Sequence, residues 1–154
     1  MSMSRDTRTQ LIDDIMTIAS WSHSVVGAQL AEIDTVNVLI GDGANVLTTG
    51  IKAAIHVDFN GLITGSYVHE FDGTTGSVVL GIDKSPYASA TAPVFTSIVA
   101  SAPPTISSAR YAADTTLAGW TQQINRGDVL RFSVTSVTAF TRLLLALRVR
   151  RLEP

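Results

Sequence analysis

Two apolar segments, Gly127 to Val137 and Phe140 to Arg150, constrain the fold of this chain more than any other feature. Side chains alternate along a strand, so Leu143, Leu145, Leu147 and Val149 share one face of the second segment. Only a core satisfies such a face. The opposite face reads Arg142, Leu144, Ala146, Arg148 and Arg150, neither plainly solvent nor plainly core. That mixture points to another surface packed against it, such as a sister subunit. Only Thr138 and Ala139 separate the segments, so they read as a β-hairpin whose second strand lies within a sheet.

Composition sharpens the choice between hidden surfaces. Charged residues are 16% of the 154-residue chain and apolar residues 45%; soluble domains usually carry about 25% charged residues. Mean hydropathy is +0.28. Either a membrane segment or an oligomer interface accounts for this. The longest apolar run, Leu143 to Val149, is interrupted at Arg148 and falls far short of the roughly 20 residues of a spanning helix. The stretch Met1 to Arg8 has no signal-peptide apolar core. Hidden subunit surface, without membrane insertion, is the expectation. A net charge of −2 gives no basic field for general nucleic-acid affinity. There are no cysteines, so disulfides and thiolate metal sites are excluded.

Along the chain, Thr7 to Ile33 reads as a helix. Thr7 and Gln10 have capping-box spacing, and Ile12, Ile15, Ala19, Ser22, Val26, Gln29 and Ile33 recur in a 3-4 rhythm that suits a self-associating bundle through Ile12, Ile15, Ala19, Val26 and Ile33. A second stripe, Leu11, Ile15, Ile18 and Val25, widens the face, so a helix lying on its own domain is the competing reading. The period then shortens to two. Val36, Val38 and Ile40 alternate, and a strand from Ile51 to Phe59 sets Ile51, Ala53, Ile55, Val57 and Phe59 on one side. Asn60-Gly61 reads as a type I′ hairpin turn into a partner strand from Leu62 to Phe71. Ser77 to Asp83 is a further strand. The proline-bearing stretch from Ser85 to Ala118 is long for a loop, so packing must order it. Leu117, Trp120 and Ile124 lead into the final segments. The expected architecture is mainly β: residues 1–34 form a helical anchor and oligomerisation segment, and residues 35–154 an antiparallel jelly-roll or Greek-key sandwich.

Candidate chemistry is sparse. His56 and Asp58, with His69 and Glu70, are residue types that bind zinc or transfer protons. Adjacent residues face opposite sides of a strand, however, and no three-ligand set closes by spacing. Neither a metal nor any cofactor is expected, and no catalytic residue is assigned. Asp72-Gly-Thr-Thr-Gly-Ser77 lacks the Gly-Lys-Ser/Thr ending of a phosphate loop and reads as a turn. Arg126-Gly-Asp128 spells an adhesion tripeptide, but its Gly-Asp opens a strand. Trp120 is expected in the core with its indole N–H satisfied.

Several elements in order resemble a β-module of tailed-bacteriophage fibres and head appendages. They are Leu47 to Ile51, Gly61 to Gly65, Ala102 to Ser107, Leu117 to Trp120, and Gly127 to Val134. The resemblance implies a trimeric, jelly-roll-like structural or surface-binding part of a virion, made in the host cytoplasm. It carries no catalytic residue. A single helix in place of a long shaft favours a short head fibre, decoration protein or compact spike. The expected partners are two further copies of the chain and other virion proteins of the capsid or tail, with a host-surface glycan as a further partner. Copies would meet through Ile12, Ile15, Ala19, Val26 and Ile33 on the helix. On the last strand they would meet through Arg142, Leu144, Ala146 and Arg148. A receptor- or glycan-binding tip is the alternative; a small glycan hydrolase is disfavoured, because the acids are scattered.

Overall fold

The computed structural model describes residues 32–152 apart from residue 90. The chain divides after Glu32, and the described residues belong almost entirely to the unit that begins at Ile33. Ten strands occur among them: β1 (Ile33–Gly41), β2 (Gly50–His56), β3 (Gly61–His69), β4 (Gly76–Ser85), β5 (Thr96–Ser97), β6 (Thr105–Ala109), β7 (Tyr111–Asp114), β8 (Gln123–Ile124), β9 (Val129–Thr138) and β10 (Arg142–Arg151). A short 3-10 turn, Tyr87–Ser89, precedes β5.

All pairings are antiparallel and fall into two sheets. Sheet A runs β1-β10-β3, with β7 and β8 sharing the outer edge of β3. Sheet B runs β2-β9-β4, with β5 and β6 sharing the outer edge of β4. The mainly β sandwich expected from the sequence is therefore present. Its core is the facing inner surfaces: Val38, Ile40, Ile63, Val68 and the four apolar residues of β10 from sheet A meet Val78, Leu80, Ile82, Leu130, Phe132 and Val134 from sheet B. Leu143, Leu145, Leu147 and Val149 are completely buried, each contributing about 1.5–3 kcal/mol of apolar burial.

The final two strands are not a hairpin. β9 lies in sheet B between β2 and β4, whereas β10 lies in sheet A between β1 and β3. Each has one strongly apolar face, and both faces are satisfied by meeting across the core rather than by edge pairing. The link is Ala139 to Thr141: Ala139 takes a left-handed φ of 69° and Phe140 is fully buried. The expected hairpin at Asn60-Gly61 is likewise absent, since β2 and β3 belong to different sheets. Gly61 has no positive φ; a Cβ there would sit 2.6 Å from Val149 Cγ1. Close approach to β10, not turn geometry, requires glycine. Asn60 accepts hydrogen bonds at Oδ1 from the Arg126 N–H and at its carbonyl from the Leu152 N–H.

Two further boundaries move. Ile33 is the first residue of β1, opposite Arg150, not the last of a helix. Asp34, assigned to the helical segment, pairs with Arg151 across the same strands at 2.8 Å. Ile51 points outward at 61% exposure, because a register shift between Ile51 and Ala53 places it opposite the outward Ser133. A bulge inserts one residue and flips the side chain before it.

The proline-rich stretch is ordered by packing. Ile98, Val99, Ile106 and Leu117 are buried in the core, and the Ile98 N–H donates to the Ile82 carbonyl at 2.9 Å. Trp120 is buried, its indole N–H donating to the Ala102 carbonyl at 2.7 Å. Helix residues Ile12, Ile15, Ala19 and Val26 lie outside the described residues.

Candidate functional site

The two outer faces of the sandwich differ in chemistry, and the difference follows from the alternation of each strand. On sheet B, outward positions of β2, β9 and β4 carry Ala54, Arg131, Asp83, Ser133 and Gly81 in register. Arg131 donates to Asp83 at 2.7 Å and lies 4.0 Å above the Phe95 ring. These central rows are polar and their charges are already paired, while Ile51 stands exposed on the β2 edge of the same face.

Sheet A presents rows instead. Leu39, Leu144, His69 and Tyr111 align across β1, β10, β3 and β7; Asn37, Ala146, Tyr67 and Ala113 form the next row. Further along lie Thr35 beside Arg148, and Ile33 beside Arg150 and Leu62. Leu39 is 59% exposed and Tyr111 69%. The His69 and Tyr111 rings stack, with centroids 6.4 Å apart and planes 17° apart. Tyr67 lies beside Gly65, where a Cβ would stand 3.0 Å from its ring. No carboxylate occupies an outward position in these rows, so Arg148 and Arg150 face no acid there.

Strand direction brings one end of this face together with the β1–β2, β3–β4, β6–β7 and β9–β10 connections. The chain enters the sandwich at Ile33, at the opposite end. Two carboxylates clamp the rim of connections. Glu70 is buried and accepts hydrogen bonds from the Asp72 and Thr74 N–H groups and, at 3.0 Å, from Arg110 Nε. Burial pushes its carboxyl up, but the Thr74 N–H, the Arg110 guanidinium and the Asp72 N–H more than offset it, so it lies below the ordinary range. Asp72 accepts from Arg142 and, at 3.2 Å, from Thr141 Oγ1. The Arg142 hydrogen bond lowers its carboxyl against an opposing desolvation. Arg142 also lies 4.8 Å from the Phe71 ring centroid, a cation–π contact. In the first connection Asp42 accepts from the Asn45 and Ala44 N–H groups and is held at about 2. These bonds fix the rim in one arrangement.

The residues singled out from sequence fall unevenly. Leu144 and Ala146 are half-buried on the outer face of sheet A, and Arg148 is exposed beside them. Arg142 shares their side of the strand, but its guanidinium pairs with Asp72. Ile33 is exposed at the far end of the face. His56 lies on sheet B and His69 on sheet A, so the histidine–acid set does not converge. Among the described residues no group of three metal-ligating side chains comes together. The tripeptide Asp128 is buried, accepting from the Asn125 N–H at 2.8 Å and lying 3.7 Å from Lys84 Nζ. Its carboxylate is not presented outward.

Sequence reasoning missed Tyr111, Arg110 and Tyr67. Tyr111 stands 42 positions beyond His69, and only the β3–β7 register joins them; a lone tyrosine in an irregular stretch gave no local signal. No family model, curated protein or solved structure matches the chain.

Proposed function

We propose that the sandwich is a jelly roll and that the chain is a non-enzymatic structural protein of a tailed-phage virion, a short head fibre, decoration or spike protein. Strand order supports the first part. Counting β5 with β6 and β7 with β8 as single positions, the sheets read 1-8-3-6 and 2-7-4-5 in chain order, the double Greek-key arrangement of a jelly roll. Jelly rolls serve capsids, lectins and cupin enzymes alike, so fold alone does not select a role. The virion role rests on the ordered sequence resemblance.

Assembly rests on one observation. Sheet A carries aliphatic and aromatic residues in rows that run across β1, β10, β3 and β7, whereas the central rows of sheet B are polar and internally paired and its exposed Ile51 lies on the β2 edge. An apolar patch at a sheet centre marks an interaction surface. Three copies would join through the N-terminal segment and the β1–β10 side of this face, at Leu144, Ala146 and Arg148. The rim opposite Ile33 would point away from the particle.

Immunogold labelling of purified particles tests the location: label at fixed sites on the particle is expected. Label confined to the soluble fraction of the lysate would overturn the virion role. A receptor-binding tip is the second reading, favoured by the stacked His69–Tyr111 pair on the same face.

A further inference from the structure

We infer that the β7 side of this face is a binding site for a carboxylated sugar, the stacked His69–Tyr111 pair and Tyr67 forming its platform and Arg110 its anion anchor. The inference deepens the receptor-binding reading above and rests on it. His69, Glu70, Arg110 and Tyr111 line one open hollow at the rim. Within it the roles divide by burial. The Glu70 side chain is 1% exposed and its oxygens are occupied, whereas Arg110 is 48% exposed. Glu70 takes only Nε of Arg110. The terminal Nη groups make no hydrogen bond among the described residues, nor do the His69 ring or the Tyr111 and Tyr67 hydroxyls. A guanidinium oriented by a buried carboxylate, with its outer fork unused, is arranged to receive a second carboxylate.

The aromatic component narrows the ligand. The exposed Tyr111 ring, with the His69 ring stacked beside it on the neighbouring strand, offers a shallow aromatic surface rather than a deep pocket, and the weakly polar C–H face of a pyranose packs against such a ring. Unused hydroxyl and imidazole groups at its margin suit sugar hydroxyls. The charge component points the same way. Arg150, outside the subunit contact, adds positive charge, and no outward carboxylate on β1, β10, β3 or β7 opposes it. The Arg150 row lies six residues along β10 from the His69 row, about 20 Å, so the positive field extends past one sugar ring. An acidic glycan matches both components; a neutral glycan uses only the first, and an acidic peptide only the second.

The test is titration of the full-length chain with oligogalacturonate, oligosialate and maltodextrin of matched length, and with oligoglutamate as the peptide probe. Saturable binding of one or both acidic sugars is expected, about tenfold or more tighter than maltodextrin or oligoglutamate. Which acidic series binds distinguishes a uronate from a sialate source. Tyr111→Ala should weaken binding about tenfold, and Tyr87→Ala, an exposed tyrosine at the other end of the sandwich, should leave it unchanged. Arg110→Gln removes the partner of a buried carboxylate, so Arg110→Lys accompanies it; both should lose the preference for acidic over neutral sugar. Silence toward both acidic series, equal binding of maltodextrin, equal binding of oligoglutamate, or indifference to Tyr111→Ala would each overturn the inference. Sedimentation and particle labelling read the assembly separately. A trimeric virion protein blind to these sugars would sink only this site, and a monomer that binds them would sink only the assembly.

Discussion

Adjacent leucines of β10 give the sharpest contrast available in the molecule. Leu145 points inward, is fully buried, and stands in register between Val38 of β1 and Val68 of β3. Leu144 points outward between Leu39 and His69 and is only half-buried. Truncating Leu145 to Ala removes core contacts and leaves a cavity, at a cost of about 2–5 kcal/mol. For a body of this size that lowers the melting temperature by roughly 10–20 °C. Leu144→Ala creates no cavity, so its cost to the isolated sandwich should stay below about 1 kcal/mol. Its main effect should be on association: the part of stability that rises with protein concentration should shrink. Thermal melts of both variants across a hundredfold range of concentration measure the two effects. If Leu144→Ala cost as much as Leu145→Ala at the lowest concentration, the assignment of inner and outer faces would be wrong.

Other perturbations probe separate parts of the structure. Gly61→Ala should destabilise by about 1–3 kcal/mol through overpacking, because its Cβ meets Val149 Cγ1; a neutral melt would remove the close-approach explanation. Trp120→Phe leaves the Ala102 carbonyl without its donor and should cost about 1–3 kcal/mol in denaturant titration. Glu70, Asp72 and Asp42 all have lowered folded carboxyls. Their stabilising contribution is therefore full above the ordinary carboxylate range and is lost as pH falls through their folded values. Stability should be level through neutral pH and decline below about pH 4.5. Glu70→Gln should flatten that decline in pH-dependent unfolding, and an unchanged acid limb would count against the clamp.

Much of the sandwich was legible because alternation is a local property. The β10 leucines, the β4 triad Val78, Leu80 and Ile82, and the buried Trp120 all follow from side-chain periodicity and polarity. Pairing is not local. Asn60-Gly61 carries a hairpin dipeptide, yet its glycine answers to Val149, a residue 88 positions away. The closing strands looked like a hairpin because alternation specifies which face is apolar, not which sheet receives it. The site was less legible for the same reason. Leu144, Ala146 and Arg148 share a strand and could be grouped from spacing, whereas His69, Arg110 and Tyr111 meet only after β7 pairs with β3. Arg142 shows the limit of grouping by alternation: it belongs to the outer face by parity, but Asp72 and Phe71 take its guanidinium.

Analytical ultracentrifugation of the full-length chain tests the assembly most directly. At micromolar concentration the protein should sediment at three times the 16.4 kDa chain mass. Ala146→Glu, which sets a charge between Asn37 and Tyr67 on the outer face, should shift it towards the monomer with the β-sheet circular dichroism intact. A wild-type chain that sediments as a stable monomer, or a variant whose mass does not change, would contradict the account.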